Sequence, residues 1–282
     1  FFFVYGVLYG SSSDSRWHEC GHGTAFRTRW MNDVIYQIAS FMLMRNPVQW
    51  RWIDARHHTD TIIVGLDPEI AVPRPPDIAG ILLNLFGIKS AIALLKKLSY
   101  HVRGELEPGE ETFIPESERP RVYLEARVMA LLYLAIPVWC LAVGSILPAM
   151  FFGLPSFYGA FMMVFFGLTQ HAGLDEDVLD HRLNSRTVYM NPVFRFLYLN
   201  MNYHVEHHMF PMVPYHALPK LHEAIKDDCP TPYPNTLAAY REIIPALLRQ
   251  RREPGWYVKR ELPRHAAPLD PGAAGGAIIA AE

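Results

Sequence analysis

Histidines at short, regular intervals are the residues of this sequence whose type and spacing best suit chemistry. Four groups stand out: His18-Glu-Cys-Gly-His22, Asp54-Ala-Arg-His57-His58, Gln170-His171 and His204-Val-Glu-His207-His208. Positions three or four apart lie on one face of a helix, so each group is able to bind one metal ion or two neighbouring ions. Adjacent pairs such as His57 and His58 point about 100° apart on a helix, which suits two metal ions better than one.

The size of this donor set narrows the kind of metal site. Eight histidines with one carboxylate exceed what a single tetrahedral zinc ion takes, and their number agrees with two iron ions. The three cysteines are far apart and form no CxxC pair, which excludes a cysteine-built zinc or iron–sulfur site. His181 is compatible with either a metal-site or a structural role. Four isolated histidines are expected to be surface residues or hydrogen-bonded core residues: His101, His216, His222 and His265.

Two other functions remain open at this point. The segment from His18 to His22 also reads HExxH, the zinc-protease signature, in which Glu19 would be the general base of an intramembrane protease. Such an enzyme needs one further ligand, whereas this chain offers six. A histidine-rich membrane metal transporter is the second alternative, but transporters place ligands near the bilayer midplane and no histidine lies in residues 128–168.

One long uncharged stretch predicts how the histidines are positioned. Val128 to Leu174 is a run of 47 residues without Asp, Glu, Lys or Arg, whereas one bilayer crossing needs roughly 20. We therefore expect a hairpin of two membrane helices at about 126–168 and an all-α, polytopic membrane fold. Four helix-breaking residues fit its turn, near 147–155: Gly144, Pro148, Gly153 and Pro155.

The flanking segments complete the predicted architecture. Residues 1–13 are uncharged and are expected to be the end of another crossing, preceded by residues that this sequence lacks. Residues 78–100 are apolar with three lysines, which predicts an interfacial helix. Residues 1–250 are thus expected to form one membrane domain. Residues 251–282 have the Ala, Gly and Pro bias of a largely disordered tail.

Arginines on both flanks of the hairpin predict its orientation. Three precede it and three follow it, whereas its turn is uncharged: Arg119, Arg121, Arg127, Arg182, Arg186 and Arg195. Both flanks should therefore be cytoplasmic, so that the histidines before and after the hairpin meet in one cytoplasmic helical cap. A net charge of -2 gives no reason to expect nucleic acid as a partner.

The histidine groups resemble those of a known family. HECGH, DARHH and NYHVEHHMFP, followed by VPYHALPKLH, are similar to the three histidine boxes of integral-membrane fatty acid desaturases and hydroxylases, over roughly residues 14–225. The sequence particularly resembles bacterial desaturase-like proteins described as hydrocarbon oxygenases of rhizopine-catabolism clusters. This resemblance implies an O2-dependent oxidoreductase that desaturates a fatty acyl or lipid chain. Hydroxylation of an alkyl or lipid substrate at the same site is the alternative.

The resemblance also implies the cofactors. Two iron ions, alternating between Fe2+ and Fe3+, would activate O2 as co-substrate. The implied iron ligands are His18, His22, His57, His58, His171, His204, His207 and His208. Asp54 stands where the family's second box usually begins with His. It would be a ninth ligand, or it would only form a hydrogen bond with a neighbouring histidine or water, or the change would weaken the enzyme. Three further carboxylates are candidates for orienting the imidazoles: Glu206, Asp175 and Asp177. A solvated surface position is the alternative for the two Asp residues.

Electrons must come from a partner, because the chain has no GxGxxG motif, cysteine cluster or haem-binding module. A ferredoxin-like or cytochrome donor is expected. Five arginines of the N-terminal part would either dock an acidic donor or contact lipid head groups: Arg27, Arg29, Arg45, Arg51 and Arg56.

Overall fold

The computed structural model describes residues 1–266, and these residues are helical with irregular connections. The α-helices of this part are α1 (Phe2–Gly6), α2 (Ser12–Gly21), α3 (Arg29–Met42), α4 (Pro47–Thr59), α5 (Ile78–Asn84), α6 (Ile88–His101), α7 (Arg119–Val143), α8 (Leu147–Phe152), α9 (Pro155–Tyr158), α10 (Phe161–His171), α11 (His181–Asn184), α12 (Pro192–Leu197), α13 (His204–Met209), α14 (Leu218–Ile225) and α15 (Thr236–Gln250). A π-helical turn, Val7–Ser11, joins α1 to α2. Short 3-10 turns lie at Glu110–Thr112, Glu116–Glu118 and Lys226–Asp228.

The prediction of an all-α fold is confirmed for the described residues. They contain no β-strand, and the β-type pairings among them are two isolated bridges, Thr187 with Tyr203 and Val188 with Tyr233. Both bridges lie in the segment between α11 and α15. They fix the irregular chain that leads into α13, where three of the predicted site histidines lie.

Helix α7 forms the first arm of the predicted hairpin. The segment Glu116–Val143 is the helix of the described chain that is long and apolar enough to cross a membrane, and an 18-residue stretch of it has a mean hydropathy of 2.0. Leu131, Leu134 and Leu141 on its surface are exposed, as expected for a helix whose solvent is lipid. Gly144 ends the helix in the left-handed conformation, with φ of 62°, which glycine adopts without the steric cost of a Cβ.

The return arm differs from the prediction of a second continuous crossing. The chain turns back directly after Gly144, and the residues that we expected in the turn form α8 and α9 instead. Pro148 and Pro155 occupy first-turn positions of these two short helices, where proline is favoured, and each therefore starts a new helix. The uncharged stretch thus contains one long helix and three shorter ones, so that a polytopic arrangement remains a prediction.

Residues 78–101 form a bent pair of helices. Helices α5 and α6 meet at an angle of 92°, and only together are they apolar enough for one broken span. Leu82, Phe86 and Leu95 are exposed on this pair. The sequence predicts one interfacial helix, whereas the chain forms two helices with a sharp bend between them, so the interfacial position stays a prediction.

The N-terminal helices carry the first histidine group. They pack against α9 and α10 at a point where Gly159 lies against the backbone of Gly6, and a Cβ on Gly159 would fall only 1.8 Å from the Gly6 carbonyl oxygen. Close helix contact through small residues is typical of membrane proteins. This contact fixes α2, with His18 and His22, beside α10, which ends at His171.

The C-terminal part begins with α15, which packs against α10. Residues 251–266 follow in irregular conformation, and the Val258 N–H donates to the carbonyl oxygen of Gly173 at 2.9 Å. The remainder of the predicted disordered tail, residues 267–282, lies outside the described residues. The division into a domain of 1–250 and a tail stays a prediction.

Candidate metal centre

The predicted site histidines converge in two neighbouring groups of imidazoles. In the first, the ring nitrogens of His18, His22, His58 and His207 lie within 4.8 Å of one another. Nε2 of His207 is 2.6 Å from Nε2 of His18 and 3.3 Å from Nε2 of His58. Nε2 of His22 is 3.1 Å from Nε2 of His58. Helices α2, α4 and α13 therefore each supply part of one compact nitrogen cluster, which we call group A.

The second cluster, group B, lies directly beside group A. The ring nitrogens of His57, His171 and His208 lie within 4.8 Å of one another. His204 adjoins them, with its Nε2 at 3.0 Å from Nε2 of both His171 and His208. All eight histidines that the sequence singled out are therefore brought together by the fold.

The adjacent histidine pairs separate as their helical spacing predicts. His58 and His207 belong to group A, whereas their chain neighbours His57 and His208 belong to group B. The ring centroids of His58 and His208 are 4.4 Å apart, so the two groups share a border. Two neighbouring helix positions thus supply two neighbouring sites, as the angle of about 100° between them requires.

Local sequence explains how α4 presents its pair. Asn46 caps the helix by accepting a hydrogen bond from the Gln49 N–H, and Pro47 follows at the first helical position. Tyr36 donates its hydroxyl to the Pro47 carbonyl oxygen at 2.9 Å and so ties the helix start to α3. The last turn of α4 then holds both histidines in buried positions.

The Nδ1 atoms of several rings point away from the cluster to oxygen partners. His57 Nδ1 lies 2.8 Å from Oδ2 of Asp67, and His18 Nδ1 lies 2.8 Å from Oδ1 of Asp54. His171 Nδ1 lies 2.8 Å from the carbonyl oxygen of Asn184. A carboxylate or carbonyl accepts only from a protonated nitrogen, so the rings of His57 and His171 carry their proton on Nδ1 and present the lone pair of Nε2.

The facing lone pairs fit a metal ion. Nε2 lone pairs at 2.6 to 3.3 Å repel one another unless a proton or a cation lies between them. Burial lowers the pKa of His58, His207 and His208 well below the ordinary value, so these rings are neutral and able to ligate. Imidazole nitrogen is a good donor for iron, and the donor set therefore fits the two iron ions implied by the sequence.

Asp54 lies at the edge of group A. Besides its contact with His18, its Oδ2 is 3.6 Å from Nε2 of His22. Burial opposes its ionisation, but the His18 and His22 imidazoles lower the pKa of this carboxyl below its ordinary value. The position suits a carboxylate that orients His18, and it also leaves Asp54 close enough to group A to serve as a ligand.

The carboxylates that contact the imidazoles of groups A and B are not the three expected from the sequence. Glu206 is fully buried, but its Oε1 lies 2.5 Å from Nδ1 of His222 and its Oε2 accepts from the Thr187 hydroxyl. Asp177 accepts a hydrogen bond from the Val64 N–H. Within residues 1–266, neither Asp175 nor Asp177 forms a hydrogen bond with a histidine of either group.

Asp67 was missed by the sequence analysis. It lies ten residues after His57, in an irregular loop that returns to the last turn of α4, and it also accepts from the Ile62 N–H at 2.8 Å. Thr61, whose hydroxyl is 3.1 Å from Nδ1 of His208, belongs to the same loop. No spacing rule links these residues to the histidines, because the fold of the loop alone brings them together.

Glu19 has a structural role. Its Oε1 accepts hydrogen bonds from the Thr24 hydroxyl at 2.6 Å and from the Tyr215 N–H at 3.1 Å. It therefore joins the end of α2 to the segment that follows α13. A carboxylate engaged in this way is poorly placed to act as the general base of a zinc protease.

The remaining histidines largely follow expectation. His101 and His222 are buried and paired with Glu110 and Glu206, respectively. His216 and His265 are exposed. The unassigned His181 is near group B, with its ring centroid 5.3 Å from that of His208.

A cavity of about 340 Å³ reaches the metal centre. Helices α2, α4, α6 and α10 and the loop after α4 line it, and His18, His57 and His204 border it. Met163, Val164 and Leu168 provide an apolar wall. The space is therefore suited to a partly apolar molecule held next to both imidazole groups.

Removal of Asp67 tests how group B is held. Asp67→Ala leaves the Nδ1–H of His57 without its acceptor, so we expect iron affinity at one of the two sites to fall about 10- to 100-fold. Asp67→Asn retains an acceptor oxygen and should lose less. Chelator competition followed by iron analysis measures the effect, with Asp175→Ala as the control. Wild-type affinity in the alanine variant would contradict this role.

Comparison with known proteins agrees with the geometry. A family model described as fatty acid desaturase matches residues 1–239. A search of curated proteins gave no significant match. The matched region contains every histidine of groups A and B and the helices that present them. Since the match extends over most of the chain, this protein belongs to the fatty acid desaturase family, whose members are oxidoreductases of the desaturase and hydroxylase type.

Proposed function

We propose that the protein is a membrane-bound di-iron oxidoreductase that uses O2 to desaturate a fatty acyl or lipid chain. The observation that carries the proposal is the convergence of eight imidazoles in two bordering groups, with lone pairs that face one another. Family membership supports the general class of reaction. The narrower relation to bacterial hydrocarbon oxygenase-like proteins is part of the proposal.

The residues of groups A and B would hold one iron ion each. Bound there, the two ions would supply the O2 chemistry that removes hydrogen from an unactivated C–H bond. His18 and His57 are held in orientation by Asp54 and Asp67. The negative charges of these carboxylates also favour cations in the neighbouring groups.

The chain itself controls the position of the substrate and the access of water. The imidazoles of α4 and α13 are buried, so that solvent is kept from the reacting region. The cavity beside His57 and His204 would hold the substrate carbons. Loss of hydrogen from two neighbouring carbons gives a double bond, whereas transfer of oxygen to one carbon gives an alcohol, and the held geometry decides between them.

Product analysis tests the reaction type. The purified iron-loaded protein is supplied with a lipid or fatty acyl substrate, O2 and a reduced ferredoxin, and the products are separated by mass spectrometry. We expect a loss of two mass units, the signature of desaturation. A gain of sixteen mass units would instead assign hydroxylation, and the absence of both products with a range of chains would contradict the proposal.

Two alternatives are less well supported. The protease reading needs Glu19 as a base, and Glu19 is bonded to Thr24 and Tyr215 instead. A transporter needs ligands inside the crossings, whereas α7, the helix long enough to span, contains no histidine. Neither alternative uses two bordering groups of imidazoles.

The electron donor would bind on the cytoplasmic face. Of the five arginines considered for docking, Arg45 is engaged elsewhere, because its Nη1 lies 2.7 Å from Oδ1 of Asp14 and its guanidinium lies over Trp17 and Trp50. Arg27 and Arg29 are exposed and remain candidates for an acidic ferredoxin-like or cytochrome partner.

The proposal includes a multi-pass topology with the active site on the cytoplasmic side. Arg182 and Arg186 are paired with Asp180 and Glu242, so they contribute little free charge to the positive-inside bias. The contact between His18 and His207 supports a shared side of the membrane, because His18 precedes α7 in the chain and His207 follows it. The arginines on the flanks of the hairpin remain the argument that this side is cytoplasmic.

Cysteine labelling in sealed cells tests this topology. In a Cys140→Ala background, Arg27→Cys and Lys220→Cys should react with an impermeant maleimide only after the cells are opened, because both positions are cytoplasmic. Ile146→Cys, which lies after the spanning helix, should react in intact cells. Labelling of Lys220→Cys but not Arg27→Cys from outside would contradict the shared site.

A further inference from the structure

Glu206 is the residue of α13 that faces away from the metal centre. A helix advances about 100° per residue, so Glu206 points roughly opposite to His204 and His208. Its side chain is fully buried, and its two carboxylate oxygens contact Thr187 and His222. Burial of a carboxylate is costly unless the group is paired, so these two contacts allow Glu206 to occupy the interior.

His222 joins Glu206 to a well-packed helix. Its Nδ1 lies 2.5 Å from Oε1 of Glu206, and its Nε2 lies 2.9 Å from the Tyr189 hydroxyl. Both ring nitrogens therefore have partners, and the side chain is buried. Four residues earlier on α14, Leu218 is fully buried in an apolar cluster with Phe166 of α10. The imidazole of His222 thus links the position of α14 to that of α13.

Helix α13 is too short to hold its own orientation. It has six residues, and within residues 1–266 its N-cap residue Tyr203 forms no side-chain capping bond. Isolated helices shorter than about 12 residues are marginal in water, so the direction of α13 depends on its tertiary contacts. Because His204, His207 and His208 all lie on α13, a rotation of this helix would move ligands of both groups at once.

We propose that His222 is a positioning residue of the metal centre, which holds α13 through Glu206 so that the imidazoles of this helix face the other ligands of groups A and B. The inference rests on the proposed function, and it gives a role in the site to a histidine whose sequence context predicts only a surface or core position. The contacts that carry it are those of Glu206 with His222 and Thr187. Partners that orient metal ligands from outside the ligand set typically change metal affinity about 10- to 100-fold.

Cobalt binding to the full chain in detergent tests the inference. Co2+ binds nitrogen donors more tightly than Fe2+ does, and its visible spectrum depends on the number and geometry of its ligands. In His222→Ala the carboxylate of Glu206 loses a partner, so we expect cobalt affinity to fall about 10- to 100-fold and the spectrum of bound cobalt to change. His222→Asn places an amide N–H near the position of Nδ1 and should restore the wild-type spectrum and most of the affinity.

His101 supplies a matched control. It is also a buried histidine next to a carboxylate, with its Nε2 at 2.7 Å from Oε2 of Glu110. Glu110 lies outside α13 and keeps its contacts with Lys97 and Gln49 when His101 is replaced. His101→Ala should therefore lower the temperature of thermal unfolding and leave the cobalt spectrum and affinity unchanged.

Each outcome has a distinct meaning. A folded His222→Ala protein with wild-type cobalt affinity and spectrum would overturn the inference, and so would equal changes in His101→Ala or a lack of rescue by His222→Asn. If the alanine variant fails to fold, His222→Gln replaces it with the same expectation, because its longer amide reaches towards Tyr189 and leaves Glu206. Wild-type protein that binds neither cobalt nor iron would refute the proposed function, whereas normal metal binding that is insensitive to His222 would refute only this inference.

Discussion

Replacing His207 by alanine is expected to abolish turnover, with a loss of more than about 100-fold, and to remove iron from group A. Its Nε2 lies between those of His18 and His58, at 2.6 and 3.3 Å, so that its loss opens the centre of the group. Loss of a residue that only orients a ligand already costs 10- to 100-fold in metal affinity. Loss of the ligand itself should cost more.

A matched substitution separates this effect from general damage. His216 lies on the surface after α13, and His216→Ala should leave iron content and turnover unchanged. Both variants are compared by iron analysis, turnover and thermal unfolding in detergent. A folded His207→Ala protein with two irons and wild-type turnover would refute the assignment of group A.

Substitution of Asp54 is expected to have the next largest effect. Its Oδ1 lies 2.8 Å from His18 Nδ1, so Asp54→Ala releases the ring of a group A ligand and removes a negative charge beside it. We expect iron affinity at this group to fall about 10- to 100-fold and turnover to fall with it. Asp54→Asn preserves an acceptor oxygen for the Nδ1–H and should keep most of the iron.

The three variants at this position distinguish two roles. If Asp54→Asn loses iron as severely as Asp54→Ala, the carboxylate binds the metal itself, and Asp54→His should then restore iron. If Asp54→Ala keeps full iron and wild-type turnover, Asp54 has neither role. Iron-to-protein ratios and turnover on the same preparations decide among these results.

The arrangement of the histidines was largely predictable from the sequence. Helical spacing placed His204, His207 and His208 on one side of α13, and the angle between adjacent residues predicted that His57 and His58 serve different groups. The uncharged stretch also predicted α7, because an apolar run longer than one bilayer crossing has few possible structures other than a long helix. These features depend on local periodicity, which a sequence displays directly.

Features that depend on loops were not predictable. Asp67 and Thr61 reach the centre because the chain after α4 folds back on it, and no periodic pattern encodes that return. The prediction that Asp175 and Asp177 orient imidazoles was wrong for the same reason, since both residues lie in an irregular segment. The return arm was also misjudged, since Pro148 and Pro155 begin new short helices where we expected a simple turn.

The iron-to-protein ratio of active, detergent-purified protein tests the central claim most directly. Elemental analysis reports iron and zinc on the same sample, and turnover shows that the sample is functional. Two groups of imidazoles, each with its own facing lone pairs, predict two iron ions per chain and no stoichiometric zinc. Active protein with one zinc ion and no iron would contradict the account.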